Sequence, residues 1–293
     1  MAHRAGDNGW VTATEPEMTT AVHLTHGWEP DLAVGDTLLR GFLFAFADRL
    51  ATMADGVGGR LRRTPEACFA DPHSAFVFDN GVVLLQPPGV ADIAAVVADA
   101  LDFYPPGRTW ILFSAWPLPD LSSAGLELVG HPPFLLRTPA PFIRTDPPGS
   151  RIVEVTTRQQ LADFERVLVE GYPMPEGGAI LDHRLLGGAI RLWVGYDDSP
   201  DGEGRAVAVS GAHVAHGLVE VDWVATLPDV RGRGWGAALT GRAVAVEPDL
   251  PAVLISSDDG RPVYERLGFL AVHRCTVWAR PGMTEGLGGV AHR

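Results

Sequence analysis

Sliding the 293-residue sequence along itself by 143 positions, about half its length, brings three blocks into register without a gap. Residues 110–117 (WILFSAWP) fall on 253–260 (VLISSDDG), 90–101 (VADIAAVVADAL) on 233–244 (RGWGAALTGRAV), and 125–137 (GLELVGHPPFLLR) on 268–280 (GFLAVHRCTVWAR). The last pair share a glycine followed by apolar residues, a valine at the fifth position and a terminal arginine. Such self-similarity predicts two related domains, and the length agrees, since one domain spans roughly 100–200 residues. The boundary is expected at Pro139, Pro141, Pro147 and Pro148 followed by Gly149, a composition that stops helices and strands. This divides the chain into a flexible tail over 1–20, a first domain over 21–138, a linker over 139–150 and a second domain over 151–293.

The pattern of the second half can be followed element by element. Residues 151–155 alternate as a short strand, and Leu161, Phe164, Leu168 and Tyr172 recur at helical spacing. Three stretches rich in Val, Trp and Ala, 192–196, 206–214 and 218–226, are separated by turn residues and read as consecutive antiparallel strands. A helix over 235–246, a strand over 252–256, a short helix over 262–267 and one closing strand over 271–280 complete the order β-α-β-β-β-α-β-α-β.

The chemistry is concentrated in residues 220–238, EVDWVATLPDVRGRGWGAA, where an apolar strand runs through a Gly-rich turn straight into a helix. Gly232, Gly234 and Gly236 let the backbone approach a ligand without Cβ obstruction, and the amides of a first helical turn point at whatever binds there. Arg231 and Arg233 add guanidinium forks that match phosphate oxygens, so the expected ligand is a pyrophosphate. A Walker A loop would need Lys and then Ser or Thr after its last glycine, where Trp235-Gly236-Ala237 stands instead. A Rossmann fingerprint would need a parallel unit with an acidic residue about 20 positions on; Glu247 and Asp249 lie nearer, at a helix end, after antiparallel strands.

Arg231-x-x-Gly234-x-Gly236 and the later Tyr264-Glu265-Arg266-Leu267-Gly268-Phe269 together resemble the two signature motifs of the GNAT (GCN5-related N-acetyltransferase) family, in the right order and over residues 151–280. The resemblance implies an α/β (α+β) fold of two GNAT-like domains, each a mixed, mostly antiparallel central sheet flanked by helices. It implies acetyl-CoA as cosubstrate, with Val224, Ala225 and Thr226 offering strand-edge groups to the pantetheine arm and Arg231, Gly232, Arg233, Gly234, Trp235, Gly236 and Ala237 wrapping the pyrophosphate. Tyr264 falls where relatives carry the phenol that protonates the departing thiolate, a fitting donor with its ordinary pKa near 10. Glu220 stands where some relatives place a general base, with Asp222 its rival. Alternation puts Glu220, Asp222 and Val224 on one face and Val221 and Trp223 on the other, so that both carboxylates look into one cleft and raise each other's pKa. Where relatives carry a CoA-holding Asn, this chain has Ser257, which cannot replace a carboxamide.

Against the same signals the first half is bare. Pro88-Gly89-Val90-Ala91-Asp92-Ile93 stands opposite the Gly-rich loop, Leu121 opposite Tyr264 and Val77 opposite Glu220, which makes this half a degenerate GNAT-like domain.

Charge and cysteines narrow the partners. Lys plus Arg total 23 against 36 Asp plus Glu, a net charge of −13 with no basic stripe, which excludes nucleic acid; it would suit a cationic amine, but acidic solubility is the plainer reading of the charge. No run of about 18 apolar residues spans a bilayer, and residues 1–18 lack a secretory pattern. Cys68 and Cys275, one in each half, suggest neither disulfides nor a metal cluster and fit a reducing cytoplasm. His213 and His216, three apart on a strand, face opposite sides and share no metal. The expected activity is transfer of an acetyl group to the primary amine of a small molecule or peptide, with a homodimer as the assembly to look for. The competing reading is a CoA-binding sensor or scaffold without turnover.

Overall fold

The computed structural model describes residues 34–142, 145–172, 180–200, 202 and 204–280; the tail expected over 1–20 lies outside them. Helix α1 (Val34–Val57) is followed by β1 (Arg60–Arg63), β2 (Ala67–Asp71) and β3 (Gly81–Leu84). Then come α2 (Ile93–Phe103), β4 (Ile111–Ser114), β5 (Glu127–Gly130) and β6 (Pro133–Arg137). The second half runs β7 (Ser150–Glu154), α3 (Arg158–Gly171), β8 (Ile190–Asp197), β9 (Arg205–Ala215), β10 (Leu218–Thr226) and α4 (Trp235–Val244). It closes with β11 (Ala252–Ile255), α5 (Arg261–Arg266), β12 (Leu270–Arg274) and β13 (Thr276–Ala279). No helix among the described residues is long and apolar enough to cross a membrane.

Local chemistry fixes several of these boundaries. Thr157 and Gln160 form a reciprocal capping box that satisfies two orphan amides at the start of α3. Strands β2, β3 and β4 are short apolar runs buried at every position, as strands covered on both faces must be.

The strands form two mixed sheets, in the orders β1-β2-β3-β4-β13-β5 and β12-β6-β11-β10-β9-β8-β7. Each sheet therefore takes one strand from the other half of the chain. Strand β6 lies antiparallel between β11 and β12, and β13 lies antiparallel between β4 and β5. In the 143-residue slide these are equivalent segments, so the two repeat blocks each keep their first strand and exchange their second. The stretch over 139–150 joins the halves in sequence without dividing the sheets. The single closing strand expected over 271–280 is two strands, because the chain leaves one sheet for the other at Cys275, whose N–H donates to the carbonyl of Pro132.

Helix α1 packs between the sheets. Its Phe42, Leu43, Phe46 and Leu50 share one buried cluster with Val83 and Phe113 of the first sheet and with Leu218 and Val253 of the second. Each such side chain contributes roughly 1.5–3 kcal/mol when fully buried, so α1 belongs energetically to both halves. A second cluster joins α3 and α4 to the second sheet, through Phe164 and Leu168 on one helix and Trp235 and Leu239 on the other.

Candidate active site

Strands β10 and β11 run parallel but pair only at Val219 with Ala252 and Glu220 with Val253. Beyond Glu220 the strands part, while β10 stays paired to β9 and β11 to β6. At the same point β10 carries an extra residue: Asp222 stands opposite Gly211 and Ala225 opposite Val209, three positions against two. This is a β-bulge, and Trp223 within it takes a φ of 50°. That conformation is uncommon outside glycine and costs on the order of 1–3 kcal/mol. Packing holds it: the Trp223 ring covers Gly211 so closely that a Cβ there would lie 2.5 Å from it.

The bulge corrects the expected alternation. Trp223 is not turned away from the two acids, because its indole lies beneath the Arg49 guanidinium, 4.7 Å from it, and that same guanidinium binds both carboxylates. Of the three residues expected to line the strand edge, Ala225 engages β9, whereas Val224 and Thr226 turn away from it by ladder alternation. Their carbonyls already accept hydrogen bonds, Val224 from the Tyr172 hydroxyl at 3.1 Å and Thr226 from Arg231 Nε at 3.2 Å.

Helix α4 begins at Gly234, whose φ of 91° lets the turn enter the helix and whose missing side chain leaves the N-terminus uncapped. The N–H groups of Gly232 to Ala237 meet no acceptor among the described residues. A Cβ at Gly232 would meet nothing within 4 Å, and one at Gly234 only Pro147, so the approach to these amides is open. Trp235 is buried and anchors the helix in the core. The guanidinium of Arg231 is committed elsewhere, with Nη2 donating to Gly171 O at 2.8 Å, so this residue braces the loop against the end of α3. Arg233 is exposed, its Nη2 3.4 Å from the carbonyl of Asp229.

Sequence reasoning missed the group at the centre of the acids. Arg49 of α1 is buried and binds three carboxylates: Asp79 at 3.1 Å, Glu220 at 3.0 Å and Asp222 at 2.7 Å. Burial pushes the Glu220 carboxyl up, but Arg49 and His213 outweigh it and hold it below its usual value. Glu220 is thus a closed structural ion at the apex of the parted strands, 3% exposed, and not the open base the sequence suggested. Asp222, one alternation further on, keeps 34% of its side chain exposed. Burial and the nearby Glu220 raise its pKa against the pull of Arg49. For the wholly buried Asp79, burial raises the pKa to about 7, with Arg49 opposing. His213 is buried with Nδ1 3.6 Å from Glu220, whereas His216 sits in the β9–β10 hairpin and pairs with Asp48 at 2.7 Å.

No protein-family model matches the sequence, and no curated protein matches it. Solved structures do. A GCN5-related N-acetyltransferase from Kribbella flavida is 21% identical, with 81% of this chain and 96% of that one covered at a TM-score of 0.54. A GNAT-family protein from Novosphingobium aromaticivorans DSM 12444 is 20% identical, with 79% and 95% covered at a TM-score of 0.55. The chain has the GNAT fold. The covered shares exceed what either sheet alone could supply, so the likeness includes both. A conserved protein of unknown function from Staphylococcus epidermidis ATCC 12228 shares the shape at 13% identity, with 76% and 94% covered and a TM-score of 0.53.

Within the GNAT fold, α5 brings Tyr264 to the same opening. The ring packs on Phe269, and burial together with the charge of Asp222 pushes the phenol well above its ordinary pKa. The expectation of an unperturbed phenol is therefore corrected: Tyr264 keeps its proton over a wider pH range. Its hydroxyl donates to no acceptor among the described residues. Tyr172, singled out in the sequence only for its helical spacing, faces the same group; burial, then Tyr264 and Asp222, raise its phenol too. Ser257 serves the backbone, its Oγ accepting from Gly260 N at 3.0 Å at the entry to α5. The signal that could have exposed Arg49 is weak, since α1 also carries Arg40, Asp36, Asp48 and Asp55 and nothing local marks Arg49 as the buried charge.

Proposed function

We propose that the protein is an N-acetyltransferase that moves an acetyl group from acetyl-CoA to the primary amine of a small molecule or peptide by direct attack. One observation carries this reading: a parted pair of strands and an uncapped helix N-terminus meet at the end of β10. The gap suits an extended arm lying along Val224 and Thr226, and the amides from Gly232 to Ala237 suit a diphosphate, which the positive end of α4 also favours. Arg233 adds charge there, while Arg231 holds the loop in shape.

When bound, acetyl-CoA supplies an acyl carbon attached to a thiol leaving group. Asp222, the exposed member of the acid pair, takes a proton from the attacking nitrogen as the N–C bond forms. Tyr264, whose hydroxyl meets no acceptor among the described residues, gives its proton to the sulfur as the C–S bond breaks. Glu220 is too closed for either task. The first half reads as a degenerate copy that shapes the acceptor side of the cleft, and the buried free thiols of Cys68 and Cys275 suit a reducing cytoplasm.

The test is release of free thiol from acetyl-CoA across a panel of primary amines, with CoA binding followed by calorimetry. Amine-dependent release that is lost in Asp222→Asn is expected. CoA binding with no release from any amine would favour the sensor reading, which the commitment of Arg231 and Ser257 to backbone groups supports. No CoA binding at all would defeat both.

A further inference from the structure

The base proposed above is held by the half of the chain that carries no ligand loop. Arg49 enters from α1, 171 positions away from Glu220 in sequence, and passes between Trp223 and Phe46 to reach Asp222. Its Nη2 lies 2.7 Å from Asp222 Oδ2, while Asp222 Oδ1 accepts the backbone N–H of Trp223 at 2.7 Å. Both carboxylate oxygens are thereby fixed, one by the bulge and one by the other half of the molecule. The opposite edge of the guanidinium is held by Asp79, from the short turn ahead of β3, whose second oxygen accepts from Ser74 Oγ at 3.3 Å. A single guanidinium thus serves three carboxylates.

We propose that Arg49 is a positioning residue: it fixes the Asp222 carboxylate at the cleft and favours its ionised form. This rests on Asp222 being the base. The charged or titratable groups facing Asp222 are Arg49 from α1, Glu220 from its own strand, Tyr264 from α5 and Tyr172 from α3. Asp79 and His213 act one step removed, through Arg49 and Glu220. Removing the positive charge disfavours ionised Asp222, so the pH below which turnover falls moves up. Burial holds the Asp79 carboxyl protonated up to about pH 7, so replacing it by an amide leaves that pH in place. A displacement from one neighbour and none from the other, within one buried cluster, is not what loose packing would give.

The experiment is the pH profile of kcat/KM for thiol release by the full chain, with one amine acceptor and acetyl-CoA. Arg49→Gln is expected to shift the acidic limb upward by about one pH unit or more, the size of effect an adjacent opposite charge exerts on a carboxyl. Asp79→Asn should leave the limb in place, and Arg49→Lys should restore most of the wild-type position. KM for acetyl-CoA should stay within about twofold in all three, because none touches the diphosphate loop. Circular dichroism checks folding; if Arg49→Gln does not fold, Arg49→Met, which keeps the apolar stem between Trp223 and Phe46, takes its place. Reduced turnover with an unmoved limb in Arg49→Gln would overturn the proposal. Amine-dependent release that survives in Asp222→Asn would instead overturn the assignment of the base, and the proposal with it.

Discussion

The two sheets share a strand order through most of their length and differ at the point where a ligand would enter. In the first sheet, β3 and β4 pair at three successive positions from Gly81 with Ile111 to Val83 with Phe113, whereas in the second the corresponding strands pair twice and then part. The helix that follows the first of these strands is also finished differently. At α2 the Asp92 carboxylate accepts from Ala94 N at 3.0 Å and Ala95 N at 3.2 Å, so the amides are taken and a negative charge occupies the position an anion would need. At α4 the same position is Gly234, which makes no side-chain cap among the described residues. One architecture thus gives a closed unit or an open one according to a bulge and a cap, and the closed unit supplies the arginine that organises the open one.

The strongest way to break this comparison is to separate the halves. A fragment over 139–293 lacks β6, an interior strand, and exposes the edges of β11 and β12. It should be insoluble or unfolded by circular dichroism, and co-expression with 1–138 should rescue it; an autonomously folded fragment would show that the exchanged strand is dispensable. Next, Gly234→Glu places a carboxylate and a Cβ at a φ of 91° beside the open amides. CoA affinity by calorimetry should fall by about 100-fold or more, and unchanged affinity would remove the diphosphate from α4. Tyr264→Phe should lower kcat by roughly 100-fold with CoA affinity preserved, the scale of general acid catalysis; a normal kcat would leave the phenol a packing group. Gly211→Ala overpacks the Trp223 ring and should cost about 1–3 kcal/mol in urea unfolding, with CoA binding weakened as the bulge relaxes. Smallest of all, Asp92→Ala removes the cap of α2 and should cost about 1 kcal/mol, leaving CoA affinity untouched; altered affinity would mean that the first sheet holds ligand after all.

Much of the second sheet was legible because its signals are local. Strand β10 runs over the residues that alternation and flanking turns marked, and α3 begins at its capping threonine. The phosphate-type loop was legible for the same reason, since glycines and a helix start are contiguous in sequence. What could not be read depends on groups distant in the chain. Strands β6 and β13 carry similar apolar patterns, so nothing local says which sheet each completes. The bulge at Trp223 is set by a notch at Gly211 across the ladder, and alternation alone therefore assigned Trp223 to the wrong face. Glu220 and Asp222 looked equivalent by spacing; their different fates follow from where the parted strands admit solvent and from an arginine on a helix far upstream.

The reciprocal exchange of β6 and β13 has a consequence for synthesis. A domain made first on the ribosome ordinarily folds before its successor emerges. Here the first sheet cannot close until its inner strand at 276–279 is translated, so β4 and β5 wait while well over a hundred further residues are made. Nascent chains stalled before that segment should be protease-sensitive in both halves, and resistance should arise in one step when it clears the exit tunnel.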